Sequence, residues 1–591
     1  MMDNLCAVVF GAQKEPRYYP QGTKISDILR KEKPDFSFPC NGRGTCGKCR
    51  VLAEGAVTEP TERETAKLDP ADLARGIRLA CQTEIRGPLK ITEIQTARDP
   101  KHILSLGRFE LPEIHPLWSR RRIENPAHLT WEEIAKHLPS GLEPTIGALR
   151  QLGGLPSECG HLNVESVANR VIAIADEAHQ PERYGVAIDI GTTTMAAYLV
   201  NLRDGQIFKT ASAYNPQSSY GADVVSRIGY SSQTNGLETL QRVIVTAANR
   251  LIDDLTAAAG LNSRDIPLVH FVGNTCMTHL LCGVSPERLG KLPFEPVFQS
   301  RRMMTPRDIG LNVNPDGLVV VLPGIGGFVG SDISAGVLTC RLNAAQKELL
   351  IDIGTNGEIV LTGNGTILAC STAAGPAFEG AGISCGMLAG PGAIVDLSFT
   401  PDGIVLQTID NQPARGICGT GLIRIITEFL RHGIITETGN FDPELDSPAY
   451  DPGLKRYYLA KDGTSPVYLS QADIRQFQLA KGAIRAGLDL MLQKLGISGN
   501  DLETFYIAGA FGNYMNPADA LYIGLLPQVP LERIQGVGNT AGLGAVISLL
   551  SQTALQGLNE LVAGIEHVEL ANDPKFMDAF TEAMLFPDSE S

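Results

Sequence analysis

Positive charge is scarce in this chain: 50 Lys and Arg face 65 Asp and Glu over 591 residues, a formal charge of −15. That balance argues against nucleic acid and anionic membrane surfaces as partners. The basic cluster Arg120-Arg121-Arg122 is expected to be a solvated piece of linker. No apolar run is long and unbroken enough to cross a bilayer, which takes about 20 residues. The longest candidate, Leu318 to Leu338, is interrupted by Pro323, several glycines and Asp332. No basic segment followed by an apolar run opens the chain, so a cytoplasmic setting is expected rather than secretion. A Walker A lysine loop and a GxGxxG dinucleotide fingerprint are both missing, which sets aside those two nucleotide sites. Cys6, Cys159, Cys276, Cys282, Cys340, Cys370, Cys385 and Cys418 form no CxxC pair and are expected to be separate, reduced thiols.

The remaining four cysteines are grouped. Cys40-Asn-Gly-Arg-Gly-Thr-Cys46-Gly-Lys-Cys49 places three thiols on one loop, and Leu79-Ala80-Cys81-Gln82 supplies the fourth. Short spacing on a coil lets successive thiolates wrap a small inorganic core. Gly42, Gly44 and Gly47 permit positive φ and bring amide N–H groups near the sulfides, where such donors help set the potential. Three plus one points to a 2Fe–2S cluster, because a zinc site more often shows two short Cys/His pairs. The five residues between Cys40 and Cys46 exceed the four of the plant-type pattern, so the loop resembles the vertebrate-type ferredoxin variant and its fused relatives. Strand-like Ala7–Phe10 and Arg50–Ala53, with a helical Thr23–Arg30, suit a small β-grasp domain.

The long C-terminal part contains an echo. Tyr184-Gly-Val-Ala-Ile-Asp189-Ile-Gly191-Thr192-Thr193-Thr194 runs from an apolar strand into a glycine turn and on into a second strand. Glu348-Leu-Leu-Ile-Asp352-Ile-Gly354-Thr355-Asn356-Gly357-Glu358 does the same. An Asp at a strand end can hold Mg²⁺ through water. The turns offer backbone N–H and Thr hydroxyl donors to phosphate oxygens. Two such hairpins across a cleft would grip a polyphosphate from both sides and couple it to domain closure. Phe505 to Gly512 reads as a strand entering a glycine turn fit for adenosine. Gly536 to Ala545 opens a small-residue helix, and Phe271 to His279 resembles its partner in the first half. Ala373 to Gly380, which includes Glu379, and Arg415 to Gly421 are further loops.

Between these parts, Pro100, Pro112, Pro116 and Pro126 mark a linker over 97–126. Helices are expected from Thr130, a candidate N-cap with Glu133 at N3, and from Pro144 to Leu152. His115, His128, His137 and His161 match no metal spacing. The expected division is 1–96, linker 97–126, a small middle domain 127–182, and 183–591 with lobes 183–345 and 346–591.

The hairpin set resembles the actin, Hsp70 chaperone and sugar-kinase superfamily over roughly 183–590. The whole chain resembles the reductive activators of corrinoid-dependent methyl-transfer enzymes. The fold implied is multidomain α/β: a β-grasp 2Fe–2S ferredoxin-like domain, a small middle region and a two-lobed ATPase. Some members of that family carry C-terminal 4Fe–4S clusters, whereas residues 540–591 here contain no Cys. The resemblance implies ATP-dependent transfer of one electron to an inactive Co(II) corrinoid on a partner protein, restoring Co(I). It also implies a low-potential donor such as a ferredoxin, flavodoxin or reductase, and it admits a homodimer. Cys40, Cys46, Cys49 and Cys81 would ligate iron, and Asp189 and Asp352 would hold Mg²⁺ or orient water. Gly191, Thr192, Thr193, Thr194, Gly354, Thr355, Asn356 and Gly357 would line the phosphates, and Gly509, Ala510 and Gly512 the adenosine. Glu358 and Glu379 are candidates for polarising the water. Competing expectations are a small-molecule kinase with a fused ferredoxin domain, an ATP-coupled donor to a radical dehydratase, and a scaffold that only binds ATP.

Overall fold

The computed structural model describes residues 5–11, 15–32, 36, 38, 42, 44, 47, 49–93, 111–124, 126–156, 159–176, 182–401, 403–461, 466–570 and 573–587. Cys40 and Cys46 therefore lie outside the described residues, as do 94–110, which include the start of the expected linker. No helix among the described residues is long and apolar enough to cross a membrane.

The N-terminal sheet has five strands in the order Arg17–Pro20, Leu5–Phe10, Ile85–Glu93, Arg50–Val57, Ile77–Leu79. Leu5–Phe10 runs parallel to Ile85–Glu93, and the other pairings are antiparallel. Helix Ile25–Glu32 lays Ile25, Ile28 and Leu29 on this sheet, with Val8, Val51 and Ile91 beneath. This is the β-grasp arrangement that the strand and helix spacing calls for.

A four-stranded sheet follows, ordered Trp118–Glu124, His161–Val167, Arg170–Ala175, Glu143–Pro144. The strand Trp118–Glu124 corrects the expectation of a linker running to 126. Arg120 is not solvated linker: its guanidinium donates to Glu165 at 2.8 and 3.1 Å, and Arg183 donates to the same carboxylate at 3.0 Å. The misreading comes from a run of three arginines of which Arg121 and Arg122 are exposed, while Arg120 lies directly across the strand pair from the buried Glu165. Thr130 caps helix Trp131–Ala135 by accepting from Glu133 N, and helix Ile146–Gly153 follows Pro144.

The remainder holds two six-stranded sheets of related design. The first is ordered Ile207–Tyr214, Thr194–Asn201, Tyr184–Ile190, Leu268–Gly273, Leu318–Val321, Arg302–Met304. The second is ordered Ile534–Gly538, Thr504–Ala508, Glu348–Ile353, Gly357–Gly363, Thr366–Thr372, Ile565–His567. In each, a three-stranded antiparallel meander is followed by two parallel strands. The sequence echo is thus a structural repeat.

The partner of the small-residue helix differs from the expectation. Helix Thr540–Leu550 packs on helix Ser331–Cys340, not as a mate of the helix after Phe271. A side chain at Gly544 would lie 2.2 Å from Ala335 O, and Thr339 Oγ1 donates to Thr540 O at 2.8 Å. Thr540–Leu550, late in the chain, buries Ala545 and Leu549 with Ala187 and Val272 of the first sheet. Ser331–Cys340 buries Ile333 and Val337 with Leu350 and Val360 of the second. A division at 345/346 therefore cuts between two helices that each cover the other half's sheet.

The contact at Gly544 yields a test. Alanine is worth about 1 kcal/mol over glycine in a helix. Overpacking against a backbone carbonyl, which cannot rotate away, costs about 1–3 kcal/mol. Gly544→Ala should therefore lose net stability, on the order of 1–2 kcal/mol, in urea unfolding followed by far-UV circular dichroism, with the iron–sulfur absorbance retained.

Candidate functional site

The cluster loop is built on glycine. Gly42, Gly44 and Gly47 have φ of +80°, +74° and +67°, a region closed to most side chains. Cys49 and Cys81 are buried free thiols whose sulfurs lie 3.3 Å apart, so they converge as ligands of a single iron must. Gln82 Nε2 donates to Gly42 O at 3.0 Å and points at Cys81 Sγ at 3.4 Å. The segment carrying Cys81 hangs from Glu64, which is fully buried. Glu64 accepts two bonds from Arg78 at 2.9 Å, and one each from Leu79 N and Thr83 Oγ1 at 3.0 Å. Burial pushes the Glu64 carboxyl up, but the Arg78 guanidinium and the backbone donors outweigh it and hold it below the usual range.

The two Asp-Gly-Thr turns meet. Thr193 Oγ1 donates to one oxygen of Glu379 at 2.9 Å, and Thr355 Oγ1 to the other at 3.0 Å. One carboxylate thus bridges hydroxyls from both hairpins. Asn356 bonds Glu358, which sits directly across the strand pair from Asp352 and also accepts from Ser371 at 3.3 Å. Gly191 must lack a side chain, since a Cβ there would lie 2.7 Å from Thr194 O. Thr194 starts the second strand of its hairpin, opposite Tyr214. Gly354 N donates to Asn356 O at 2.9 Å, and Gly357 is walled in by Thr372 and Ile484. Gly509 has φ +80° and leaves room for Asp352 Oδ1, which a Cβ would meet at 2.8 Å. Gly512 packs back on Ile507, and Ala510 lies between them in helix Gly509–Tyr514.

Several residues at this site are not singled out by the sequence reading. Asn274 caps helix Thr275–Leu281 with its oxygen and donates its amide to Thr192 Oγ1 at 3.0 Å. Asn539 caps helix Thr540–Leu550 in the same way and donates to Asp189 Oδ2 at 2.9 Å. The signal was present, since Val-Gly-Asn-Thr occurs at both 272–275 and 537–540. Asp332, read only as a break in an apolar run, is at the start of helix Ser331–Cys340 and lies close enough to Asp189 and Asp352 to feel both charges.

Acidic groups crowd this cleft. Burial, only partly offset by the Asn539 bond, and the Asp352 charge push Asp189 up to about 7. Burial and the charges of Asp189 and Asp352 push Asp332 to about 7 as well, and burial takes Asp352 to about 6. Glu358 is raised well above the carboxylate range by burial, Asp332 and Asp352. Burial also raises Glu379, against the pull of Thr193 and Thr355. Among the described residues no three His, Cys, Asp or Glu side chains converge tightly enough to cage a metal ion alone.

A ferredoxin-like iron–sulfur module joined to a two-lobed nucleotide-type cleft defines the class of protein. The family profiles agree with it. Residues 13–86 match the 2Fe-2S iron-sulfur cluster binding domain, 184–345 the RACo middle region, and 346–591 the C-terminal ASKHA domain of RACo. The family's middle region is thus the first ATPase lobe, and the small sheet at 118–175 falls between profiles. The chain is 30% identical to the corrinoid activation enzyme RamQ of Eubacterium limosum, over 98% of this chain and 99% of that protein. It is 28% identical to the [Co(II) methylated amine-specific corrinoid protein] reductase of Methanosarcina barkeri, over 66% of this chain and 75% of that one. A solved reductive activator for corrinoid, iron-sulfur protein superposes over 99% of both chains, with 31% identity and a TM-score of 0.73. The chain belongs to the family of reductive activators of corrinoid proteins.

Removing one partner of a buried ion pair strands the other, at a cost of about 3–5 kcal/mol. Glu64→Ala should therefore free the Cys81 segment, and its visible iron–sulfur absorbance should bleach faster in air than wild type. A second test concerns the cleft. Raised carboxyl pKa values mean the folded state holds more protons than the unfolded one between about pH 4 and about pH 7, so stability falls as pH rises through that window. Asp332→Asn should flatten this slope and stabilise the nucleotide-free protein at about pH 8 by on the order of 1 kcal/mol, read by thermal unfolding at several pH values.

Proposed function

We propose that this protein binds MgATP between its two hairpins and uses it to deliver one electron from its 2Fe–2S domain to the Co(II) corrinoid of a partner protein. The observation that carries this reading is the bridging of Thr193 and Thr355 by Glu379, in a chain that also presents the Cys49–Cys81 pair. Those hydroxyls are the donors a polyphosphate needs, and a single side chain holds both. When the phosphates arrive, Thr193 and Thr355 turn from Glu379 to phosphate oxygens. Glu379 then has free oxygens with which to orient the attacking water. Asp189, Asp332 and Asp352 would hold Mg²⁺, whose charge would offset their burial and mutual repulsion. Asn274 and Asn539 fix Thr192 and Asp189 so that neither must be reorganised during the reaction.

When bound, the cluster supplies a single low-potential electron, near about −400 mV for plant-type centres. An uphill transfer costs roughly 2.3 kcal/mol for each 100 mV. Nucleotide can help only by binding one state of the complex better than another, which a cleft gripped from both sides is built to do. Cys40 and Cys46 complete the ligand set with Cys49 and Cys81. The electron donor is a low-potential ferredoxin, flavodoxin or reductase, and the setting is the cytoplasm, which keeps thiols reduced as the described free cysteines require. Residues 1–96 form the electron-carrying unit and 183–591 the nucleotide-binding unit.

The test uses the full chain, reductant and a Co(II) corrinoid protein, with Co(I) followed by its absorbance. Co(I) should form only with MgATP. Asp189→Ala should lower ATP turnover at least ~100-fold and leave the iron–sulfur spectrum intact, whereas Cys49→Ser should lose Co(I) formation and keep ATP turnover. ATP hydrolysis without Co(I) formation on any corrinoid protein would overturn the reading.

A further inference from the structure

The iron–sulfur domain is seated on the turn that backs the first phosphate loop. Arg30, from helix Ile25–Glu32, donates through Nε to Ser219 O at 2.9 Å. Ser219, itself buried, donates its hydroxyl to Phe36 O at 3.0 Å. Two bonds of opposite direction thus join the domains at one residue. The same guanidinium lies 4.9 Å from the centre of the Phe38 ring, and a Cβ on Gly42 of the cluster loop would lie 3.7 Å from its Nη2. Arg30 therefore touches the cluster loop on one side and the ATPase on the other.

Ser219 ends a single helical turn, Pro216–Ser219, capped by Asn215. Asn215 is fully buried and is hung on the phosphate loop: its Nδ2 donates to Gly191 O and its N to Thr193 O, both at 2.9 Å. Arg227, also fully buried, braces the turn from behind. It donates to Thr192 O, to Gly221 O at 2.9 Å and to Gln217 Oε1 at 3.4 Å. Every residue from Gly191 to Thr193 thus gives its carbonyl to Asn215 or Arg227. The Thr193 hydroxyl donates to Glu379.

We propose that Asn215, Ser219 and Arg227 position the iron–sulfur domain through Arg30, and that filling the first phosphate loop with nucleotide loosens this seat. The inference rests on the proposed nucleotide site. A phosphate that draws the Thr193 hydroxyl off Glu379 re-aims the loop whose carbonyls hold Asn215 and Arg227. The Ser219 turn shifts with them, and the Arg30 and Phe36 contacts weaken. The cluster loop is then free to face a partner protein. Residues in the middle of such a path do not by themselves establish coupling; a two-state element biased from both ends does. Coupling is reciprocal, so weakening the seat must tighten nucleotide binding by the factor with which nucleotide weakens the seat.

The experiment uses the full chain with its cluster and a non-hydrolysable ATP analogue with Mg²⁺. Amide hydrogen exchange is measured over 25–32 and 215–219, and analogue affinity by calorimetry. In wild type the analogue should speed exchange in both segments at least about five-fold, the low end of ordinary site-to-site coupling. Arg30→Ala, which lies outside the nucleotide cleft, should bind the analogue about five-fold more tightly with an unchanged iron–sulfur circular dichroism spectrum. Ser219→Ala removes the bond from the other side and should move affinity the same way. Analogue binding that protects 189–194 yet leaves 25–32 and 215–219 unmoved overturns the inference alone. So does weaker or unchanged binding by both variants. Failure of wild type to bind the analogue at all overturns the proposed nucleotide site and this inference with it.

Discussion

Confinement of carboxylates in a half-buried cleft is the constraint on which the larger part of this molecule depends. Asp189, Asp332, Asp352, Glu358 and Glu379 come from both halves of the ATPase, and burial or mutual repulsion raises every one of them. Such a cluster is tolerated only if hydrogen bonds, protons or a cation compensate it. The surrounding sequence supplies the first of these. Asn539 donates to Asp189, Thr193 and Thr355 to Glu379, and Ser371 to Glu358. The hairpin glycines serve the same end, because Gly509 keeps the space that Asp352 occupies. Hydrogen bonds offset this crowding only in part, which is why all five carboxyls remain shifted upward.

The redox domain is stabilised by the opposite device. Its one buried carboxylate in this region, Glu64, is saturated by Arg78, Leu79, Thr83 and Thr61 and is held in its charged form. It carries no chemistry. It fixes the backbone on which Cys81 stands, facing Cys49. One chain thus saturates one carboxylate with donors and leaves five others only partly compensated.

What the sequence disclosed follows from how local each signal is. The cluster loop and both Asp-Gly-Thr hairpins are contiguous, so strand, glycine turn and strand are readable in a dozen residues. The bond from Asn539 to Asp189 joins positions 350 apart, and that from Asn274 to Thr192 joins positions 82 apart. No periodicity reports such pairs. The repeated Val-Gly-Asn-Thr was visible, but its Asn serves two partners at once, a helix end and a loop, and only the helix end has a sequence signature. Asp332 was misread for a related reason. A charge within an apolar run looks like an interruption until the run proves to be two elements, Leu318–Val321 and Ser331–Cys340, with the acid at the start of the second. Arg120 was misread because its partner Glu165 lies 45 positions away on the neighbouring strand, and three arginines in a row look alike until one of them meets a buried carboxylate.

The helix pair Ser331–Cys340 and Thr540–Leu550 shows how the cleft can change without the lobes coming apart. Gly544 lies against the backbone of Ala335, and Gly336 against Thr540. Thr339 Oγ1 also bonds Thr540 O across the crossing, so a shift of one helix is passed to the other. Each helix carries the other half's sheet with it, so a small slide is delivered directly to Asp189 on one side and Asp352 on the other. The iron–sulfur domain contacts named here fall on the first half, at Ser219, and hold no strand of the second. Motion of the first half relative to the second therefore moves the cluster loop as well. A fold with its redox domain straddling both halves would have locked the cleft; one with the domain tethered to neither would have let the nucleotide close it without consequence for the electron.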